Sequence, residues 1–284
     1  MRSLVLAVVL SGVVSAAHAA DLPDLPILRG GLTEGLSSSR VNWDGYYVGA
    51  QGGYGASDES FSGSNQTMTA ALLANTAIES AYGVSKWSLP FGKTTAQTGS
   101  YGAFAGYNSQ WDDVVLGVEM SYMHGKFGGT STATMGPLVF PTPTAGPLYH
   151  SVTSSASSSI SISDMATIRG RAGYAMGSFL PYGFFGLAIG KADTTKSAAV
   201  LDKYAQTLVG VYDACGNGTF PVCATMSASE GQHNRLIYGY SAGLGVDVNL
   251  VAGLFARFEY EYVRFTTTVD TNINTVRAGL GYKF

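Results

Sequence analysis

The segment Asn272–Phe284, NINTVRAGLGYKF, alternates without a break. Val276, Ala278, Leu280, Tyr282 and Phe284 share one face, and Thr275, Arg277, Gly279, Gly281 and Lys283 share the other. A strand sends successive side chains to opposite sides, so this is a strand with one apolar face and one polar or small face. In a soluble sheet such a strand is an edge packed on a core. Here the apolar face carries aromatics at its end, and the sequence stops on Phe284. An apolar outer band, an aromatic girdle near the interface and a polar lumen are the marks of a transmembrane β-barrel strand.

Composition points the same way. Only 12% of residues are charged, about half the usual share of ~25%. Beyond the N-terminus no run is apolar for the roughly 18 residues that a membrane helix needs. Such a chain hides its apolar residues by alternation. The 37 Gly and 17 Tyr suit small lumen positions and interfacial rings. A net charge of −3 gives no basic excess, which argues against a nucleic-acid partner.

Residues 1–19 read as a secretory signal peptide. Arg2 supplies the positive start, Leu4–Val14 the apolar stretch, and Ala17, His18 and Ala19 the small-residue cleavage site. Residues 20–41 are rich in Pro, Gly and Ser and read as an extended periplasmic leader. Residues 42–284 are the expected barrel. The alternation predicts strands over 44–56, 97–110, 113–125, 160–175, 180–192, 236–249, 253–266 and 272–284. Tyr46, Val48, Tyr54, Leu116, Val118, Ile168, Leu187, Leu244, Val246 and Tyr260 are placed outward. Phe104 falls on the inner set, which makes the second strand less regular.

Connections sort into two classes. Those at 110–113, 176–181 and 249–253 are short. Those near 57–96, 126–159 and 194–234 are long, against the roughly 2–5 residues of a hairpin loop. Strict alternation of long and short places both termini in the periplasm and the long loops outside, and implies eight strands. Within these loops, Met68–Tyr82 and Ala198–Tyr212 show near-helical spacing and predict short amphipathic helices capping the mouth. The stretch 128–159 is rich in Ser, Thr, Gly and Pro and predicts a mobile loop.

Four stretches carry a family likeness: WDGYYVG at Trp43–Gly49, TIRGRAGY at Thr167–Tyr174, LPY at Leu180–Tyr182 and VRAGLGYKF at Val276–Phe284. With these the chain resembles the small outer-membrane immunogenic or porin-like proteins of alphaproteobacteria, which belong with the OmpA-like eight-stranded barrels. The AADLP after the signal peptide, Ala19–Pro23, fits the same group. The resemblance implies a surface-exposed envelope protein without an enzymatic site. It also implies that Val276, Ala278, Leu280, Tyr282 and Phe284 form the signal that the outer-membrane assembly machinery reads. A periplasmic peptidoglycan-binding domain would have to follow Phe284, so that tethering role is not expected.

The sharpest candidates are charges on lumen parity: Glu119, Arg169, Arg171, Asp247, Arg257, Glu259, Glu261, Arg277 and Lys283. An eight-stranded barrel is only wide enough for side chains to fill. Charges there must pair, either as a salt-bridged plug or as the lining of a gated ion path. Glu119 with Arg169 and Arg171 is the first pair expected, because their strands are neighbours. Cys215 and Cys223, eight residues apart around a Gly-Asn-Gly turn, predict a loop disulfide in an oxidising compartment. His124, His150 and His233 are scattered in or near outer loops and read as solvated rather than as metal or haem ligands. No Ser–His–acid trio suggests a hydrolase.

The expectation is therefore an all-β, eight-stranded antiparallel up-and-down transmembrane barrel of the bacterial outer membrane. Its role is structural and surface-interacting, with a small porin-like channel as the alternative. Outer-membrane lipid and lipopolysaccharide, the assembly machinery and an unspecified surface ligand are the expected partners. No catalytic residue, metal or cofactor is expected.

Overall fold

Alternation carries the chain through eight strands, several far longer than their apolar stretches suggest. A computed structural model describes residues 41–63, 65–141, 149–215, 221–266 and 269–284. The expected signal peptide and all of the expected leader except Val41 lie outside the described residues. The strands are β1 (Gly45–Ser60), β2 (Lys93–Trp111), β3 (Val114–Pro141), β4 (Tyr149–Tyr174), β5 (Phe179–Ala205), β6 (Val222–Val251), β7 (Leu254–Phe265) and β8 (Asp270–Lys283). Each pairs antiparallel with the next, and β8 closes on β1 with Ala50 opposite Leu280. The Phe284 amide donates to the Tyr46 carbonyl at 2.9 Å and finishes the seam. No strand edge remains at this level, as a membrane-spanning sheet requires.

The two faces separate as the alternation predicts. Val48, Val118, Ile168, Leu187, Leu244, Val276 and Leu280 are exposed on the outside. Tyr46, Tyr54, Tyr101, Tyr174, Tyr238 and Tyr282 are exposed among them. The barrel end at which β1 begins and β8 finishes has short turns, where Gly177 and Gly253 take φ of 59° and 84°, a region that glycine enters without a Cβ penalty.

At the other end the sequence reading needs correction. A membrane strand needs roughly 9–11 residues. β7, with 12, is near this length. β3, β4, β5 and β6 have 28, 26, 27 and 30. Their distal halves stand beyond the barrel as an open four-stranded sheet. The stretch expected as a mobile loop over 128–159 is mostly the β3–β4 hairpin, with 142–148 outside the described residues. Its Ser, Thr and Ala residues read as loop by composition. Yet Ser131, Ala133, Val152, Ser154, Ala156 and Ser158 are buried in alternation, with β3 laddered to β4 and β4 in turn to β5. The helix expected over 198–212 is likewise β5 as far as Ala205, with a single 3-10 turn at Gly210–Tyr212. Ala198, Val200 and Asp202 are buried with period two, and the pairing of β5 to β4 and β6 overrides the helical spacing.

The first long connection does form helices, α1 (Gln66–Leu72) and α2 (Ala77–Tyr82). They are separated at Asn75, which takes φ 65°, and α2 starts where the Thr76 hydroxyl accepts from the Glu79 amide at 3.3 Å. Leu73, Ile78 and Val84 pack on Val152 and Val200 of the projecting sheet. Below this cap, Phe61, Phe127, Ile162, Met165, Val263, Phe265 and Ile273 fill the lumen with an apolar layer.

Candidate functional site in the barrel lumen

Between that apolar layer and the short-turn end lies a buried polar layer. Glu119, Asp247, Glu259 and Glu261 oppose Arg169, Arg171, Arg257 and Arg277, all of them buried. Four formal negative charges meet four positive ones, so the layer is neutral. Each residue occupies a lumen-facing position on β3, β4, β6, β7 or β8, and the pairing register brings them to one level. Glu119 stands directly opposite Arg169, Asp247 opposite Arg257, and Glu259 opposite Arg277.

Glu119 is the centre. Its Oε1 accepts from Arg169 Nε at 3.0 Å and also from Arg169 Nη2. Its Oε2 accepts from Arg257 Nη1 at 2.8 Å, Arg171 Nη1 at 3.3 Å and the Tyr47 hydroxyl at 2.7 Å. Asp247 takes Arg171 Nη2 at 2.7 Å and a two-point contact from Arg257 at 2.8 and 3.1 Å. Arg169 reaches on to Glu259 at 2.6 Å, and Glu261 pairs with Arg277. Burying one charge alone is strongly unfavourable, so a layer of eight persists only because each charge has a partner.

The space is closed by rings that sit on glycines. Tyr47 is opposite Gly106, Gly49 opposite Phe104, Tyr182 opposite Gly245, Phe184 opposite Gly243, and Phe255 opposite Gly281. A Cβ at Gly49 would lie 2.3 Å from Phe104 Cζ, and one at Gly281 would lie 2.3 Å from Phe255 Cζ. The lumen glycines are therefore sockets for cross-strand rings. The rings in turn cover the guanidinium groups. Arg169 lies 3.9 Å over Phe184, Arg171 3.8 Å over Tyr182 and Arg257 3.8 Å over Phe104, each within cation–π range. The Tyr182 hydroxyl also donates to Glu259 at 2.6 Å. Sequence parity alone does not single out these aromatics as site residues. Their signal is lumen parity combined with a glycine on the neighbouring strand, which only the register reveals.

Among the sequence candidates, Lys283 stands apart. It lies at the rim, where its Nζ donates to the Asp44 carbonyl at 3.1 Å, away from the charge layer. Val276, Ala278, Leu280 and Tyr282 line the outer face of β8, and Phe284 is 71% exposed beyond it. Cys215 and Cys223 are joined as a disulfide with a Cα separation of 5.9 Å; residues 216–220 of the expected turn lie outside the described residues. Two histidines correct the reading of solvated loop residues. His124 on β3 contacts Asp164 at 2.8 Å, both within the expected strands, and His150 contacts Asp202 at 2.9 Å because β4 and β5 run further than expected. His233 is exposed, 3.7 Å from Asp193. Among the described residues, no group of three or more His, Cys, Asp or Glu side chains is placed to hold a metal ion.

One more carboxylate is buried. Glu59, near the outer end of β1, is 1% exposed. Burial pushes its carboxyl above the ordinary value, against the smaller opposing effect of the Ser57 hydroxyl.

The model of the family described as outer membrane protein beta-barrel domain matches residues 6–284. No curated protein matches the chain by sequence. Among solved structures, Ail, the attachment invasion locus protein of Yersinia pestis, is similar at 14% identity, covering 85% of this chain and 99% of its own, with a TM-score of 0.31. Neisserial surface protein A is similar at 14% identity, covering 84% and 97%, with a TM-score of 0.33. OprG from Pseudomonas aeruginosa is similar at 11% identity, covering 85% and 96%, with a TM-score of 0.36.

Proposed function

We propose, from the premise that this chain belongs to the outer membrane protein beta-barrel domain family, that it is a closed structural barrel whose work is done at its outer end. The family places it in the bacterial outer membrane. The observation that carries the reading is the neutral layer of four acids and four arginines, roofed by Phe61, Phe127 and Phe265 and interleaved with rings seated on glycines. Such a lumen holds the barrel round and leaves no continuous water path. The projecting β3–β6 sheet and the α1–α2 cap then present the surface that meets partners.

On this reading the chain is a surface protein of the immunogenic or porin-like kind that its motifs suggest. Outer-leaflet lipid and lipopolysaccharide surround the apolar band, and β8 with Phe284 is the signal for assembly. It is not an enzyme. The Cys215–Cys223 disulfide ties the β5–β6 connection at the exposed end. A small channel is the second reading. It rests on Gln51 Oε1, Thr167 Oγ1 and Ser241 Oγ, buried polar atoms in the wall that lack a partner among the described residues and suit a hydrated lumen. Single-channel recording on refolded protein separates the two. The plug predicts no steady conductance in the wild type, and steady conductance overturns it.

A further inference from the structure

The mouth of the barrel holds a cavity of about 180 Å³ that neither the plug nor the cap uses. Its floor is apolar: Ile160, Ile237 and Val269 are all buried. Its wall is polar, with Thr194, Lys196, Glu230, Gln232 and Arg235. A slip in the β5–β6 register builds this wall. Ala192 pairs with Arg235 but Thr194 pairs with Gln232, so His233 and Asn234 together oppose Asp193. This is a β-bulge. Asn234 takes φ 57°, and its amide donates to the Asp193 carboxylate at 2.7 Å. In a regular strand, Gln232 and Arg235 are three apart and point to opposite faces. The bulge turns both toward the same cavity, as bulges beside binding sites do.

The result is a directed cation over an apolar floor. Arg235 Nη1 donates to Gln232 Oε1 at 2.8 Å, which orients the guanidinium. That bond uses one of five N–H donors. Lys196 stands opposite Glu230 in register, so their charges offset and Arg235 supplies the excess. A planar guanidinium fork matches a carboxylate. The volume falls below the roughly 300–1,000 Å³ of drug-sized sites, so the ligand is a fragment of one ring or one short chain.

We propose that this bulge-built pocket binds a small organic carboxylate, with Arg235 holding the carboxylate and Ile160, Ile237 and Val269 taking the apolar body. The test is calorimetric titration of the full chain in lipid nanodiscs, which leave both membrane faces open. Binding there is independent of conductance and of which end faces outward. The probes are cyclohexanecarboxylate, cyclohexanol and cyclohexylammonium, alike in size and differing in charge. The carboxylate should bind about tenfold or more tightly than the alcohol, the scale of one hydrogen bond to a charged group. Arg235→Met keeps the apolar stem and should remove that advantage, while Arg235→Lys should retain part of it. Arg235 is exposed, so neither variant should disturb the fold, and retained heat-modifiable migration checks this. Equal affinity for carboxylate and alcohol overturns the assignment. So does preference for cyclohexylammonium, or unchanged carboxylate affinity in Arg235→Met.

Discussion

Replacing Glu119 with Ala removes the acid that three arginines share. The lumen layer then holds three acids against four arginines, a net buried charge of one. Breaking a buried pair in this way costs about 3–5 kcal/mol. Here the lower end is expected, because no arginine is left wholly alone. Arg169 keeps Glu259 at 2.6 Å, Arg171 keeps Asp247 at 2.7 Å, and Arg257 keeps Asp247 at 2.8 Å. A loss of about 3 kcal/mol moves a urea midpoint by about 1–3 M at slopes of roughly 1–3 kcal/mol per molar. The assay is urea unfolding of protein folded into vesicles, with conductance recorded on the same variant. Conductance should rise from near zero as water enters beside the uncompensated charge. The partner to remove with it is Arg171, whose other acid, Asp247, remains doubly bonded to Arg257. The double variant Glu119→Leu with Arg171→Leu should recover about half or more of the loss, a coupling within the roughly 0.5–3 kcal/mol seen for contacting residues. The reasoning fails if the wild type conducts steadily and Glu119→Ala changes ion selectivity while the midpoint stays put. The lumen would then be a hydrated path.

Leu244 is 69% exposed on the lipid side, so Leu244→Arg should cost about 2–4 kcal/mol in bilayer folding assays. Gly245→Ser should also destabilise, since a Cβ there lies 2.6 Å from the Tyr182 ring and hydroxyl. A tolerant Gly245 would show that the ring does not occupy its socket. Deleting Phe284, or changing it to Ser, should lower outer-membrane levels and raise degradation, and equal amounts of heat-modifiable protein would refute a role in assembly. Glu59 has its carboxyl raised above 4.5. Stability from its neutral form is fully present below the unfolded value and is lost as pH rises through the folded one. The outer end should therefore become easier to proteolyse as pH rises from about 4.5, and Glu59→Gln should flatten that dependence. Identical pH profiles in the two proteins would count against it.

Much of this molecule was legible in its sequence because a barrel strand is a strictly local pattern. Period two alone assigned Val276, Leu280 and Leu244 to lipid and Glu119, Arg169 and Arg257 to the lumen. The alternation of short and long connections implied eight strands. Where each strand ended was not legible. Beyond the membrane the apolar signal stops, and Thr130–Thr134 and Ser154–Ser159 carry only small residues whose composition reads as loop. Neighbouring strands, not local propensity, hold them extended. Parity gives Lys283 a side and says nothing of its height along the axis, and the structure places it at the rim against the Asp44 carbonyl. Height is set by register, and register belongs to pairs of strands. It brings eight charges to one level, seats Tyr47, Tyr182 and Phe184 on glycines, and slips by one residue at Asn234 to bring Arg235 to the same cavity as Gln232. These are contacts between residues distant in the chain, and only the closed sheet decides them.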